Sequence, residues 1–169
     1  NVTLIFSVEN YKQVAEAYIN GLEKRHTAGE SIAGIASVAS FFLSRIDVAV
    51  DRILSNNIRS AQVHHDTSRI AANRKMLGQA AIANAKLAYQ AYQRHFKTSR
   101  FRKLAEKGAM VQRPLWASTG NKNPAYKDTR YLDNLIGEDT VNTVPPQTLV
   151  AFINHGKVSE SLSKSSDEF

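Results

Sequence analysis

Four times along its length this chain passes from a short apolar run into a segment with helical spacing. No other feature constrains the fold as much. Alternation of this kind argues for a parallel sheet with right-handed helical crossovers. Val2 to Phe6 is apolar apart from Thr3, as suits a strand buried on both faces. Ser7 to Asn10 opens a helix that carries Val14, Ala17, Tyr18 and Leu22, and Ala28-Gly29 stops it. Ile35 to Leu43 reads as the second strand, followed by helical spacing at Ile46, Val50, Ile53 and Leu54 that Asn56-Asn57 is expected to end. A long alanine-rich segment, about Ser68 to His95, favours helix, and a shorter helical piece runs from about Ser99 to Lys107.

The third strand is read as Met110 to Ala117, interrupted at its start by Arg113-Pro114. Asp128 to Ile136 then reads as a helix. Thr140 to Val144 is the fourth strand, ended by Pro145-Pro146, and Thr148 to Asn154 the last helix. Four such units make half of an eight-unit barrel, or a small open α/β sheet.

With 169 residues the chain is long enough for one domain with a real core. It has no cysteine, which excludes disulfides and thiolate metal sites and is compatible with a reducing compartment. No apolar stretch approaches the roughly 20 residues of a membrane helix. The net charge of +7 permits phosphate or nucleic-acid partners, but the basic residues are scattered and no nucleic-acid motif accompanies them. The apolar start at Asn1 and the polar tail from Ser159 to Phe169 suggest a fragment.

Each strand ends in polar residues. The first unit offers Thr3 and Ser7, the second Ser40 and Ser44-Arg45, the third Ser118, Thr119, Asn121 and Lys122, the fourth Asn142 and Thr143. In a (β/α)₈ barrel, chemistry collects at the C-terminal ends of the strands. A phosphate needs backbone N–H groups, hydroxyl donors and one or two cations, which Gly120, Ser118, Arg45 and Lys122 could supply. Each also has a plainer reading. Arg45 can start a helix and pair with Asp47 or Asp51, and Lys122 can be a solvated loop lysine.

The segments NVTLIFS, ASVASFFLSRID, RPLWASTGNKNPAY and DTVNTVPPQTL, in this order, resemble the second half of transaldolase. The nearest likeness is to the bacterial branch also found fused to phosphoglucose isomerase. The resemblance covers Asn1 to about Gly156 and implies the C-terminal four units of a (β/α)₈ TIM barrel, with 157–169 as a polar tail. It implies a cytoplasmic transferase of the pentose phosphate pathway. Such an enzyme moves a dihydroxyacetone unit between sugar phosphates through a lysine Schiff base, with no metal or organic cofactor.

By the same resemblance Asn1 binds substrate hydroxyls and Thr3 helps hold the catalytic water. Ser40 faces the Schiff base, Phe42 lies along the pocket wall, and Arg45 and Ser118 bind the substrate phosphate. Many members carry an arginine two residues beyond that serine. This chain has Gly120 there, and Lys122 is the expected substitute, although a lysine cannot form the bidentate fork of arginine. The resemblance puts the Schiff-base lysine and the acid/base carboxylates on strands before Asn1. Lys86, in the alanine-rich segment, is then a structural residue, and His64-His65 and His155 are surface residues.

The alternative is a non-catalytic half-barrel that binds a sugar phosphate or assembles. Four strands alone leave two open edges, so the chain is expected to pair with the missing N-terminal half or with itself.

Overall fold

A computed structural model describes residues 1–162. Four strands form one parallel sheet in the order β1-β2-β3-β4: β1 Val2–Ile5, β2 Ser37–Phe42, β3 Gln112–Ala117 and β4 Val141–Asn142. Sequential order in a parallel sheet requires every crossover to run the same way, which is the winding of a barrel segment. Helix α1 (Val8–Thr27) joins β1 to β2. Helices α2 (Ser44–Val63), α3 (Thr67–Met76), α4 (Ala80–Phe96) and α5 (Ser99–Ala105) lie between β2 and β3. Helix α6 (Arg130–Asn134) precedes β4, and α7 (Pro146–His155) follows it.

The two faces of the sheet differ because β side chains alternate. On β2, Ser37, Ala39 and Phe41 are buried, while Val38, Ser40 and Phe42 are only half-buried. The buried set faces the helices. Phe41 meets Tyr11 of α1 and Trp116 of β3 edge-on, at ring-centre separations of 6.4 and 6.2 Å. The small residues Ala81, Ala85, Ala88 and Ala91 let α4 press into this core beside Tyr89, Tyr92 and Phe96. The half-buried set points to the other face, where Phe42 stacks obliquely on Phe6 at 5.3 Å.

Several boundaries differ from the sequence expectations. Asn56-Asn57 does not end α2, which continues to Val63. The asparagines' low helix propensity is outweighed by burial of Leu54 and Ala61 on either side and by an amide bond from Asn57 to Asn73 of α3. The alanine-rich segment is two helices. Gly78, at φ 70°, breaks it in the left-handed conformation that glycine adopts without cost. Its N–H donates to Asp51. The helix expected over Asp128 to Ile136 contracts to α6, and the fourth strand to two residues.

The expected interruption at Pro114 is absent. Pro114 lies within β3 opposite Ala39, and β4 reaches only Leu115 and Trp116, so the proline position has no β4 neighbour to bond. After α7 the chain returns to α6, where Ser161 and Leu162 both donate backbone N–H groups to the Ile136 carbonyl and Leu162 is buried. Part of the expected polar tail is therefore packed, and 163–169 lie outside the described residues.

Among the described residues, strands β1 and β4 each have a strand neighbour on one side only. Val2, Leu4 and Phe6 of the β1 segment are exposed. No helix among the described residues is long and apolar enough to cross a membrane.

Candidate functional site

The C-terminal ends of β2 and β3 are tied together side by side. Ala117 accepts the Leu43 N–H at 3.0 Å, and Ser118 accepts the Ser44 N–H at 3.2 Å. The hydroxyls of Ser44 and Ser118 lie 2.8 Å apart. Ser118 reaches this position at φ 57°, in the left-handed region, which costs a non-glycine residue about 1–2 kcal/mol. That turn swings the chain out of the strand and brings the Ser118 hydroxyl against the first residue of α2.

Arg45 follows Ser44 in the first turn of α2. It is exposed, and its guanidinium carbon stands 5.1 Å over the centre of the Phe42 ring. The plainer expectation, that Arg45 pairs with Asp47 or Asp51, is overturned. Asp47 accepts the Ala81 N–H at 2.8 Å and the Tyr131 hydroxyl at 2.6 Å. Asp51 accepts the Gly78 N–H and the Tyr126 hydroxyl, each at 2.7 Å. Among the described residues Arg45 makes no ion pair, and neither does Lys122. Burial pushes the Asp47 carboxyl above its ordinary range, against the opposing pull of the Tyr131 hydroxyl bond.

Lys122 is exposed on the loop after β3. It shares the wall of a cavity of about 270 Å³ with Ser44, Asp51, Asn121 and Tyr126. Gly120 is buried in that loop, and a Cβ there would stand 3.2 Å from Pro145. Thr119, wholly buried, donates to Asn142 at 2.9 Å and ties the loop to β4.

The remaining predicted residues lie lower on the sheet. Val2 pairs with Ala39 and Ile5 with Phe41, so Thr3 projects from the same face as Ser40 and Phe42. Leu4, at φ 63°, absorbs the extra residue of this irregular register. Asn1 lies at the level of Val38, whose N–H donates to the Asn1 side chain at 3.0 Å. It lines a cavity at the N-terminal end of the sheet, with Ser37 and Arg113. Ser40, Phe42, Arg45, Ser44 and Ser118 therefore gather along the upper part of two neighbouring strands, Thr3 is one strand away, and Asn1 is at the opposite end.

Ser7 is used as the helix cap of α1, accepting the Asn10 N–H at 3.2 Å. Lys86 is on α4, in the helix layer, and only 5% exposed. His64, His65 and His155 are exposed, and His155 bonds Asp128 at 2.8 Å. Among the described residues no three His, Asp or Glu side chains are grouped to hold a metal ion.

Parallel β/α units with hydroxyls and, at the C-terminal strand ends, cations that make no ion pair among the described residues define a barrel-type α/β protein with its candidate site on that face. The chain belongs to the transaldolase/fructose-6-phosphate aldolase family, which it matches over residues 1–169. It is 49% identical to the transaldolase of Saccharopolyspora erythraea over 158 residues, covering 94% of this chain and 40% of that protein. It is 50% identical to transaldolase 1 of Streptomyces avermitilis over 158 residues, covering 94% of this chain and 39% of that protein. It is also 50% identical to the transaldolase of Trichodesmium erythraeum over 155 residues, covering 92% and 40%. The chain thus spans about 40% of the length of the curated relatives it matches.

Proposed function

We propose that this chain is the C-terminal part of a transaldolase and that it supplies contacts to the sugar and its phosphate. The observation that carries this reading is the joining of the ends of β2 and β3 through Ser44 and Ser118, with Arg45 next in the first turn of α2. Arg45 lies there without a carboxylate partner among the described residues, its guanidinium carbon 5.1 Å from the centre of the Phe42 ring. A guanidinium presents parallel N–H donors to a phosphate, and nearby hydroxyls add further bonds.

In this reading Lys122 is a second, point-like cation from the loop above. Ser40 and Phe42, on the same face below Arg45, line the sugar's carbon chain. Thr3, across on β1, helps to hold a water. Asn1, whose side-chain oxygen accepts the Val38 N–H, offers its amide N–H donors to substrate hydroxyls. The nucleophile is a lysine from the part of the relatives' length that this chain does not span. Its Schiff base turns the ketone into an electron sink, so that the neighbouring carbon–carbon bond can break. The open edges of β1 and β4 and the exposed Val2, Leu4 and Phe6 are the surfaces that the rest of the barrel would cover.

The whole protein that carries this chain should transfer a three-carbon unit from fructose 6-phosphate to an aldose phosphate, without added metal or cofactor. Release of glyceraldehyde 3-phosphate only when an acceptor aldose phosphate is present supports the reading. No turnover with any pair of sugar phosphates counts against it.

A further inference from the structure

The loop that carries Lys122 is held to α2 by side-chain bonds on both sides of the lysine, Ser118 to Ser44 before it and Tyr126 to Asp51 after it. Within the loop, the Asn121 amide donates to the carbonyls of Asn123 and Tyr126 at 2.7 and 2.8 Å. Ala125 donates its N–H to Asn123 at 3.0 Å, so the segment from 121 to 126 is a tightly bonded turn. The turn's outer end, Tyr126, donates its hydroxyl to Asp51 at 2.7 Å. The other Asp51 oxygen accepts the Gly78 N–H at the α3–α4 joint. Arg130 donates to the Gly78 carbonyl and lays its guanidinium over the Tyr126 ring at 4.4 Å. Asp51 lies on the helix whose first turn carries Ser44 and Arg45.

We propose that Asp51 and Tyr126 are positioning residues that hold Lys122 at a fixed place above Ser44 and Ser118, and so set affinity for the phosphate of the substrate. This rests on the reading above that the strand-end face binds a sugar phosphate. Lysine has a flexible stem and no fork to orient it, so its backbone must be fixed from elsewhere if it is to substitute for an arginine. Tyr126 does this from four residues away, on the far side of the same bonded turn. Burial, and then the bond to Asp51, push its hydroxyl up to about 12, so it remains a donor across neutral pH.

The test uses the whole protein and steady-state kinetics with fructose 6-phosphate. Tyr126→Phe removes one hydroxyl and keeps the ring under Arg130. It should raise KM about fivefold, the size of one lost hydrogen bond, with kcat within about twofold. Asp51→Asn should move KM in the same direction. Combining Tyr126→Phe with Lys122→Ala should raise KM no further than Lys122→Ala alone, because Tyr126 acts through that lysine.

A purely structural bond would lower the unfolding midpoint and leave KM unchanged. That result, or additive KM effects in the double variant, overturns the proposal. Arg45→Ala separates the two levels. If it raises KM and Tyr126→Phe does not, the positioning role alone fails. If neither does, or if the unaltered protein shows no turnover, the phosphate site fails with it.

Discussion

Replacing Arg45 by alanine in the whole protein should raise KM for fructose 6-phosphate by roughly 10- to 100-fold and leave kcat within a few-fold. A hydrogen bond to a charged group contributes about 1.5–3 kcal/mol, and each 1.4 kcal/mol is a factor of ten in affinity. The phosphate lies away from the bond that breaks, so its contacts are made equally in ground and transition states and appear in KM. Arg45 makes no ion pair among the described residues, so the substitution strands no carboxylate and stability should barely change. Arg45→Lys should recover part of the loss, since it restores charge without the fork. An unchanged KM in Arg45→Ala removes this residue from the site.

The largest expected effect on stability is at Trp116. It is wholly buried between the sheet and the helices, meets Phe41 edge-on, and donates its indole N–H to the Leu135 carbonyl at 3.0 Å. Trp116→Ala removes that packing and leaves a buried carbonyl without its donor, for a cost of about 3–5 kcal/mol. Whole domains are stable by only about 5–15 kcal/mol, so a large share of the margin is lost. Trp116→Phe should cost less, because it keeps most of the apolar contact and loses mainly the bond to Leu135. Urea unfolding of the whole protein, followed by circular dichroism, measures both. A midpoint for Trp116→Ala equal to that of the unaltered protein would contradict the packing described here.

The residues that announce the fold are those whose local chemistry agrees with their final environment. The small apolar residues of β2 and the alanines of α4 read directly as strand and helix, whereas the run from Val2 to Phe6 reads as a strand but is not buried on both faces, since Val2, Leu4 and Phe6 are exposed at the edge of the sheet. Asn56-Asn57 misleads because helix propensity is weak, and α2 continues through them on the strength of packing against α3. Gly78 is overlooked inside an alanine-rich run, although glycine in a helical pattern is the usual sign of a break.

The candidate site divides in the same way. Arg45 and Ser118 stand out because each lies just after a strand's end, while Ser40 and Phe42 lie within β2 and are picked out by the resemblance. The clamp around them does not. Asp47 and Asp51 show only a spacing of four, which places them on one helix face and suggests Arg45 as a partner. Their real partners, Tyr131 and Tyr126, come from 84 and 75 residues away, beyond the reach of any local pattern. Asn1 is the residue whose expected role fits the structure least directly, because its side chain is engaged at the N-terminal end of the sheet.

The proposed division of labour, with phosphate and sugar contacts from these 169 residues and the nucleophile from elsewhere, has a direct test. The whole protein is incubated with fructose 6-phosphate, reduced with borohydride, digested and mapped by mass spectrometry. The account predicts one reduced sugar adduct, on a lysine outside this chain, and its loss when borohydride is omitted. An adduct on Lys86 or Lys122, or none on any lysine, would contradict it.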